Sequence, residues 1–193
     1  MENLNKIVKE IFGDYTGYAV EAGAFDGVFE STTLALEKVG WKVLLIEPIP
    51  DAFESLLSNR NNDYCLQYAL GASNEDDVPF EVFNNWYGAS ISSLKPDERI
   101  LKGFAPDKKE TILVKQKTLD FCLDLVKFPK LDILSLDVEG GELEALKGFD
   151  IDRWKPTMLI IENIYRDKEL LNCFTDYTLI DTLVFNDIWV RNV

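Results

Sequence analysis

At four places the chain sets a carboxylate after a run of apolar residues. Glu21 closes "YAVE", Glu47 closes "KVLLIE", Asp137 and Glu139 follow "LDILSL", and Glu162, with Asn163 after it, closes "TMLIIE". Carboxylates in such positions can orient a hydroxyl, take its proton, or hold a hard cation through oxygen. The chain has no histidine. That removes Ser-His-Asp and Cys-His nucleophiles, imidazole-bound zinc and any histidine base. Cys65, Cys122 and Cys173 are far apart and have neither disulfide-framework nor metal-knuckle spacing, so they read as reduced packing residues. Any chemistry here rests on carboxylates, amides, hydroxyls, lysine or a cofactor.

The elements that must position these groups alternate along most of the chain. A helix at Leu4–Phe12 leads to a strand at about 17–22, a helix at about 31–39 ending on Gly40, the strand "WKVLLIEPIP", and the helix "DAFESLLSNR". "DYCLQYALG" reads as a third strand, and "VPFEVFNNWYGASISSL" then breaks the rhythm with aromatics, asparagines and serines. A strand at about 112–116, a helix at about 119–126, the strand "LDILSLDVEGG", the short helix "ELEALKG", the strand "TMLIIEN" and a helix at about 168–174 follow. "YTLIDTLVFNDIWVRN" reads as a closing hairpin turning at Phe185 to Asp187. Repeated βαβ units with near-continuous apolar strands imply an α/β fold whose parallel sheet is covered on both faces. Ligands in such folds bind beyond the carboxyl ends of the strands, where these acids lie.

The loop after the first strand runs Glu21-Ala22-Gly23-Ala24-Phe25-Asp26-Gly27. Glycine there lets backbone approach a ligand, and an acid ending the next strand, Glu47, suits two ribose hydroxyls. Only Gly23 and Gly27 match the dinucleotide pattern G-x-G-x-x-G, and Asp26 and Glu30 stand where a pyrophosphate would be repelled. A cofactor with a ribose but no phosphate fits better, and S-adenosylmethionine is one. A plain strand-to-helix turn is the simpler alternative.

The stretches "VEAGAFDGVFESTTLALEKVGWKVLLIEPIPDAFESLL" and "LDILSLDVEGGELEALKGFD" together resemble the FkbM family of S-adenosylmethionine-dependent methyltransferases. The second carries the family's D-x-E-G-x-E-x-x-x-L-x-G hallmark. The first resembles the subgroup with a G-A-x-D-G loop and a second strand ending I-E-P, and the likeness runs from about Tyr18 to Ile164. It implies a class I methyltransferase (Rossmann-like) sandwich, with a mostly parallel seven-stranded sheet closed by an antiparallel hairpin. It further implies that Glu21, Gly23, Ala24 and Gly27 run along the methionine part of the cofactor, Glu47 with Pro48 at the ribose, and Ala69 and Leu70 at the adenine. Phe25 departs from the asparagine or glycine of many relatives.

Asp137-Val138-Glu139-Gly140-Gly141 falls where such enzymes meet their substrate. The sulfonium charge disappears during methyl transfer, so a carboxylate touching it would favour the ground state. Glu139 is therefore assigned to the acceptor as base, with Asp137 beside the cofactor or bracing the loop. The alternative is that these acids cap the following helix, the role assigned to Glu142. The site is read as metal-free; a divalent cation on Asp137, Glu162 and Asn163, as in catechol-type O-methyltransferases, is the weaker alternative. Asn85, Trp86, Tyr87 and Ser90 are assigned to the substrate, offering a stacking face and hydrogen bonds to a sugar or polyol, or else packing a lid.

The function expected is O-methyl transfer to a hydroxyl of a small-molecule or glycan acceptor. The alternatives are a noncatalytic cofactor- or partner-binding module and an NAD-dependent oxidoreductase. With 34 acidic against 20 basic residues the net charge is −14, which disfavours nucleic acid. The lysines of "KGFAPDKKETILVKQK" read as a solvated face. No apolar run approaches a membrane span and the first residues lack a signal-peptide core, so one cytoplasmic domain over 1–193, opening with a helix at about 1–13, is expected, without membrane partners.

Overall fold

The computed structural model describes residues 2–60, 64–84, 92–94, 98–99, 102 and 108–192. Helix α1 (Glu2–Phe12) precedes β1 (Tyr18–Ala22), α2 (Leu34–Lys38), β2 (Lys42–Ile46), α3 (Pro50–Asn59) and β3 (Cys65–Leu66). Next come β4 (Ala69–Leu70), β5 (Glu75–Asn84), β6 (Lys108–Lys117), α4 (Leu119–Leu125) and β7 (Ile133–Leu136). The chain continues with α5 (Glu142–Lys147), α6 (Ile151–Trp154), β8 (Met158–Glu162), α7 (Lys168–Leu171), β9 (Tyr177–Leu183) and β10 (Asn186–Arg191). The main sheet has seven strands in the order β3-β2-β1-β7-β8-β10-β9. All its pairings are parallel except those of β10, which runs antiparallel to β8 and β9. This is the expected methyltransferase-type sheet with its closing hairpin.

The apolar strands divide their side chains between two faces, as a period of two requires. Val20, Ala22, Leu44, Ile46, Leu134, Leu136, Leu159 and Ile161 enter one core cluster. Their neighbours Ala19, Val43, Leu45, Ile133, Met158 and Ile160 enter the other, against Leu4, Ile7 and Val8 of α1 and Leu36 of α2. The same alternation puts Glu21 beside Ser135, register partners at the ends of β1 and β7.

Several expected boundaries differ. The third strand breaks after Leu66: β3 pairs with β2, whereas β4 joins β5 and β6 in a second, three-stranded sheet. The stretch expected to interrupt the rhythm instead supplies most of β5, which pairs antiparallel with β6 over Val78–Asn84. Helix α2 starts at Leu34 because Ser31, Thr32 and Thr33 are drawn to Glu21. The hairpin turns at Val184 and Phe185, so Asn186 and Asp187 already belong to β10. Among the described residues no helix is long and apolar enough to cross a membrane.

Candidate active site

A cavity of about 410 Å³ opens at the carboxyl ends of β1, β2, β7 and β8, a volume within the range of small-molecule sites. Glu21, Glu30, Glu47, Asp137, Glu139 and Glu162 line it, and among the described residues no lysine or arginine does. Gly23, Pro48, Ala69 and Leu70 also line it, as expected from sequence. Ala24 and Gly27 do not: Ala24 is packed into the α1–α2 core, and Gly27 lies against α3. Asn85, Trp86, Tyr87 and Ser90 lie outside the described residues; next to them in sequence, Ser92, Ser93 and Leu94 border the cavity.

The loop after β1 is held from both ends. Gly23 and Ala24 donate their N–H groups to the Ile46 carbonyl at 3.0 and 3.1 Å, tying the loop to β2. The Glu47 carboxylate then accepts from Phe25 N at 2.9 Å and Ile49 N at 2.8 Å, one on each oxygen. Phe25 accommodates this contact in the left-handed region, at φ 47°, and its ring packs on the cluster of Ile49, Ala52, Ala69 and Phe80. Burial pushes the Glu47 carboxyl up to about 7, against the two N–H donors, which pull it down.

Glu21 is engaged differently. It is buried, and its oxygens accept from Ser31 Oγ at 2.8 Å, Thr32 N at 2.7 Å and the Thr33 hydroxyl. Thr32 Oγ1 lies 2.8 Å from Ser135 Oγ, which joins the loop to the end of β7. Glu21 thus lines the cavity while its lone pairs shape the loop carrying Phe29, Glu30 and Thr32 into the lining.

The second acidic group gathers where β7 and β8 end. Asp137 and Glu162 share a side-chain hydrogen bond. Burial first, then the Asp137 charge, raise the Glu162 carboxyl far enough that it carries the proton and donates it to Asp137. Glu139 is raised in turn by burial and by Asp137, and its backbone is left-handed, at φ 57°. Glu142 Oε1 reaches back over the turn, accepting from Val138 N at 2.9 Å and Gly140 N at 3.3 Å; burial raises its carboxyl to about 7.

One of the three residues of the cation alternative, Asn163, is engaged elsewhere. Asn163 Nδ2 donates to Asp187 at 3.0 Å and its Oδ1 accepts from Asp167 N at 2.8 Å, so both ends of the amide already have partners. Oxygens of Asp137, Glu142 and Glu162 do approach within 4.8 Å of one another.

Sequence reasoning missed Thr32, Tyr68, Ser135 and the hairpin residues Phe185 and Asn186, which also line the cavity. For Ser135 the signal was present, since it lies two residues before Asp137 on an alternating strand. For Asn186 it was not, because only the pairing of β10 with β8 puts it opposite Glu162.

The model of the FkbM methyltransferase domain matches residues 21–180. The chain is also similar to the methyltransferase sdnD of Sordaria araneosa, 30% identical over 188 residues covering 77% of this chain and 70% of that protein. The matched segment runs from the acid ending β1 into β9 and contains all the carboxylates that line the cavity. The chain therefore belongs to the FkbM family of methyltransferases.

Proposed function

We propose that the protein binds S-adenosylmethionine in this cavity and transfers its methyl group to a hydroxyl of a small-molecule or glycan acceptor. The observation that carries the cofactor reading is Glu47. Each of its oxygens is fixed by one backbone N–H, which leaves a lone pair on each for the two hydroxyls of a ribose. Ala69 and Leu70 are buried beside it and give an apolar wall of the kind an adenine needs. The acidic lining suits a ligand of net positive charge and opposes a pyrophosphate.

When bound, the cofactor supplies an electrophilic methyl on a sulfonium. Gly23 brings backbone to the methionine end, and the loop braced by Glu21 presents Glu30 and Thr32 there. Glu139 orients the acceptor hydroxyl and takes its proton; its raised basicity suits that task, and the positive charge of a bound sulfonium would favour the ionised form it needs. Protonated Glu162 holds the Asp137 carboxylate in one orientation between acceptor and cofactor. Calorimetric titration with S-adenosylmethionine and with NAD tests this reading: binding of the first alone supports it, and binding of NAD alone contradicts it.

A further inference from the structure

Arg60 follows α3 directly and takes no part in the lining of the cavity. Its side chain is nevertheless almost fully buried, and all three guanidinium nitrogens are engaged. Nε donates to Glu37 on α2, Nη1 donates to the Gly27 carbonyl at 2.9 Å and to Ser31 Oγ at 3.1 Å, and Nη2 donates to Thr33 Oγ1 at 3.4 Å and pairs with Glu37. Nη1 also stands 3.8 Å from the Glu21 carboxylate. The contact is close along the stem too, since a Cβ on Gly27 would lie 2.6 Å from Arg60 Cγ and 2.5 Å from Leu56 Cδ1. Asn59 Nδ2 adds a bond to the Asp26 carbonyl at 3.0 Å. The C-terminal end of α3 thus grips the loop at Asp26, Gly27, Ser31 and Thr33, without itself lining the cavity.

We propose that Arg60 is a positioning residue for the methionine end of the cofactor, acting through the loop that carries Phe29, Glu30 and Thr32. A buried guanidinium costs desolvation that only several fixed partners offset, and its planar fork reaches four loop and helix groups at once. A lysine keeps the charge and the stem but has one nitrogen, so it cannot hold Gly27, Ser31 and Thr33 together with Glu37. The ribose and adenine end depends on a different anchor, Glu47 with Phe25 and Ile49, which Arg60 does not touch.

That division makes the role testable with two ligands, and the proposal rests on the S-adenosylmethionine reading. Calorimetry on Arg60→Lys with S-adenosylmethionine and with adenosine is the experiment, alongside thermal unfolding. The expected result is an S-adenosylmethionine affinity lower by about tenfold, the worth of one charge-assisted hydrogen bond, with adenosine affinity unchanged. Equal losses for both ligands, or none for either, overturn the proposal, because a merely structural residue would not separate them. Wild-type protein that binds neither ligand instead rejects the cofactor reading itself. Glu37→Gln, which weakens the same grip from the partly exposed α2 side, covers the case in which Arg60→Lys does not fold. It is expected to shift the two affinities apart in the same direction by a smaller factor, and an unchanged ratio counts against the role.

Discussion

Gly23 and Asp137 approach so closely that a Cβ on Gly23 would lie 1.7 Å from the Asp137 carbonyl oxygen. The Asp137 N–H donates to the Ala22 carbonyl at 3.1 Å, so the two strand ends are already fastened there and cannot spread cheaply. Gly23 also sits at φ +80°, where a side chain is strained. Gly23→Ala should therefore cost about 1–3 kcal/mol of stability and displace the loop. Urea unfolding reads the first effect and S-adenosylmethionine titration the second; a variant unchanged in both would show that the strand ends yield.

Two single substitutions separate binding from chemistry. Glu47→Ala removes the proposed acceptor of both ribose hydroxyls and should weaken S-adenosylmethionine by about a hundredfold. Glu139→Ala should bind the cofactor as wild type does, yet transfer labelled methyl to polyhydroxylated acceptors at least about a hundredfold more slowly. Matching losses of affinity in the two variants would refute the roles assigned.

Burial of acids gives the fold a pH dependence of defined sign. The Glu142 carboxyl, ordinarily near 4.5, is raised to about 7 in the folded chain. Between those values the folded state holds more proton than the unfolded one, so this contribution is fully present at low pH and is lost as pH rises toward 7. Glu142→Gln keeps an oxygen for Val138 N and Gly140 N but cannot ionise. It should be more stable than wild type by about 1–3 kcal/mol at pH 8 and nearly equal to it at pH 4. Urea titrations at the two pH values check this, and a difference that does not change with pH contradicts it.

Metal dependence is decided by chelation. With Asn163 committed to Asp187 and Asp167, methyl transfer is expected to survive exhaustive chelation and gel filtration unchanged. Activity lost on chelation and restored by magnesium or manganese would support a cation there, on Asp137, Glu162 and Asn163 as read from sequence or on Asp137, Glu142 and Glu162, whose oxygens lie within 4.8 Å of one another.

The sheet was legible in the sequence because its strands are unbroken apolar runs ending in acids, and those runs allow few other arrangements. The acids themselves could be placed, since a residue that follows a core strand of this fold faces the ligand edge. What each acid does there was less legible. Glu21 looked like Glu47, yet one carboxylate is filled by Ser31, Thr32 and Thr33 and the other keeps room for a ligand. Gly27 looked like a cofactor contact, but it lies outside the cavity lining, at φ +76° and close against Leu56 and Arg60. Such distinctions depend on contacts between segments far apart in sequence, which local pattern does not encode. The second sheet escaped for a related reason: β4 is two residues long and is a strand only through its pairing with β6.

The central claim is that the Glu47 cavity receives S-adenosylmethionine. Its most direct test is calorimetric titration of the wild-type chain with that cofactor, set beside Glu47→Ala. Saturable one-to-one binding that weakens by about a hundredfold in the variant is the result expected. No binding to the wild type at concentrations well above ordinary cofactor levels, or binding that Glu47→Ala leaves intact, would contradict it.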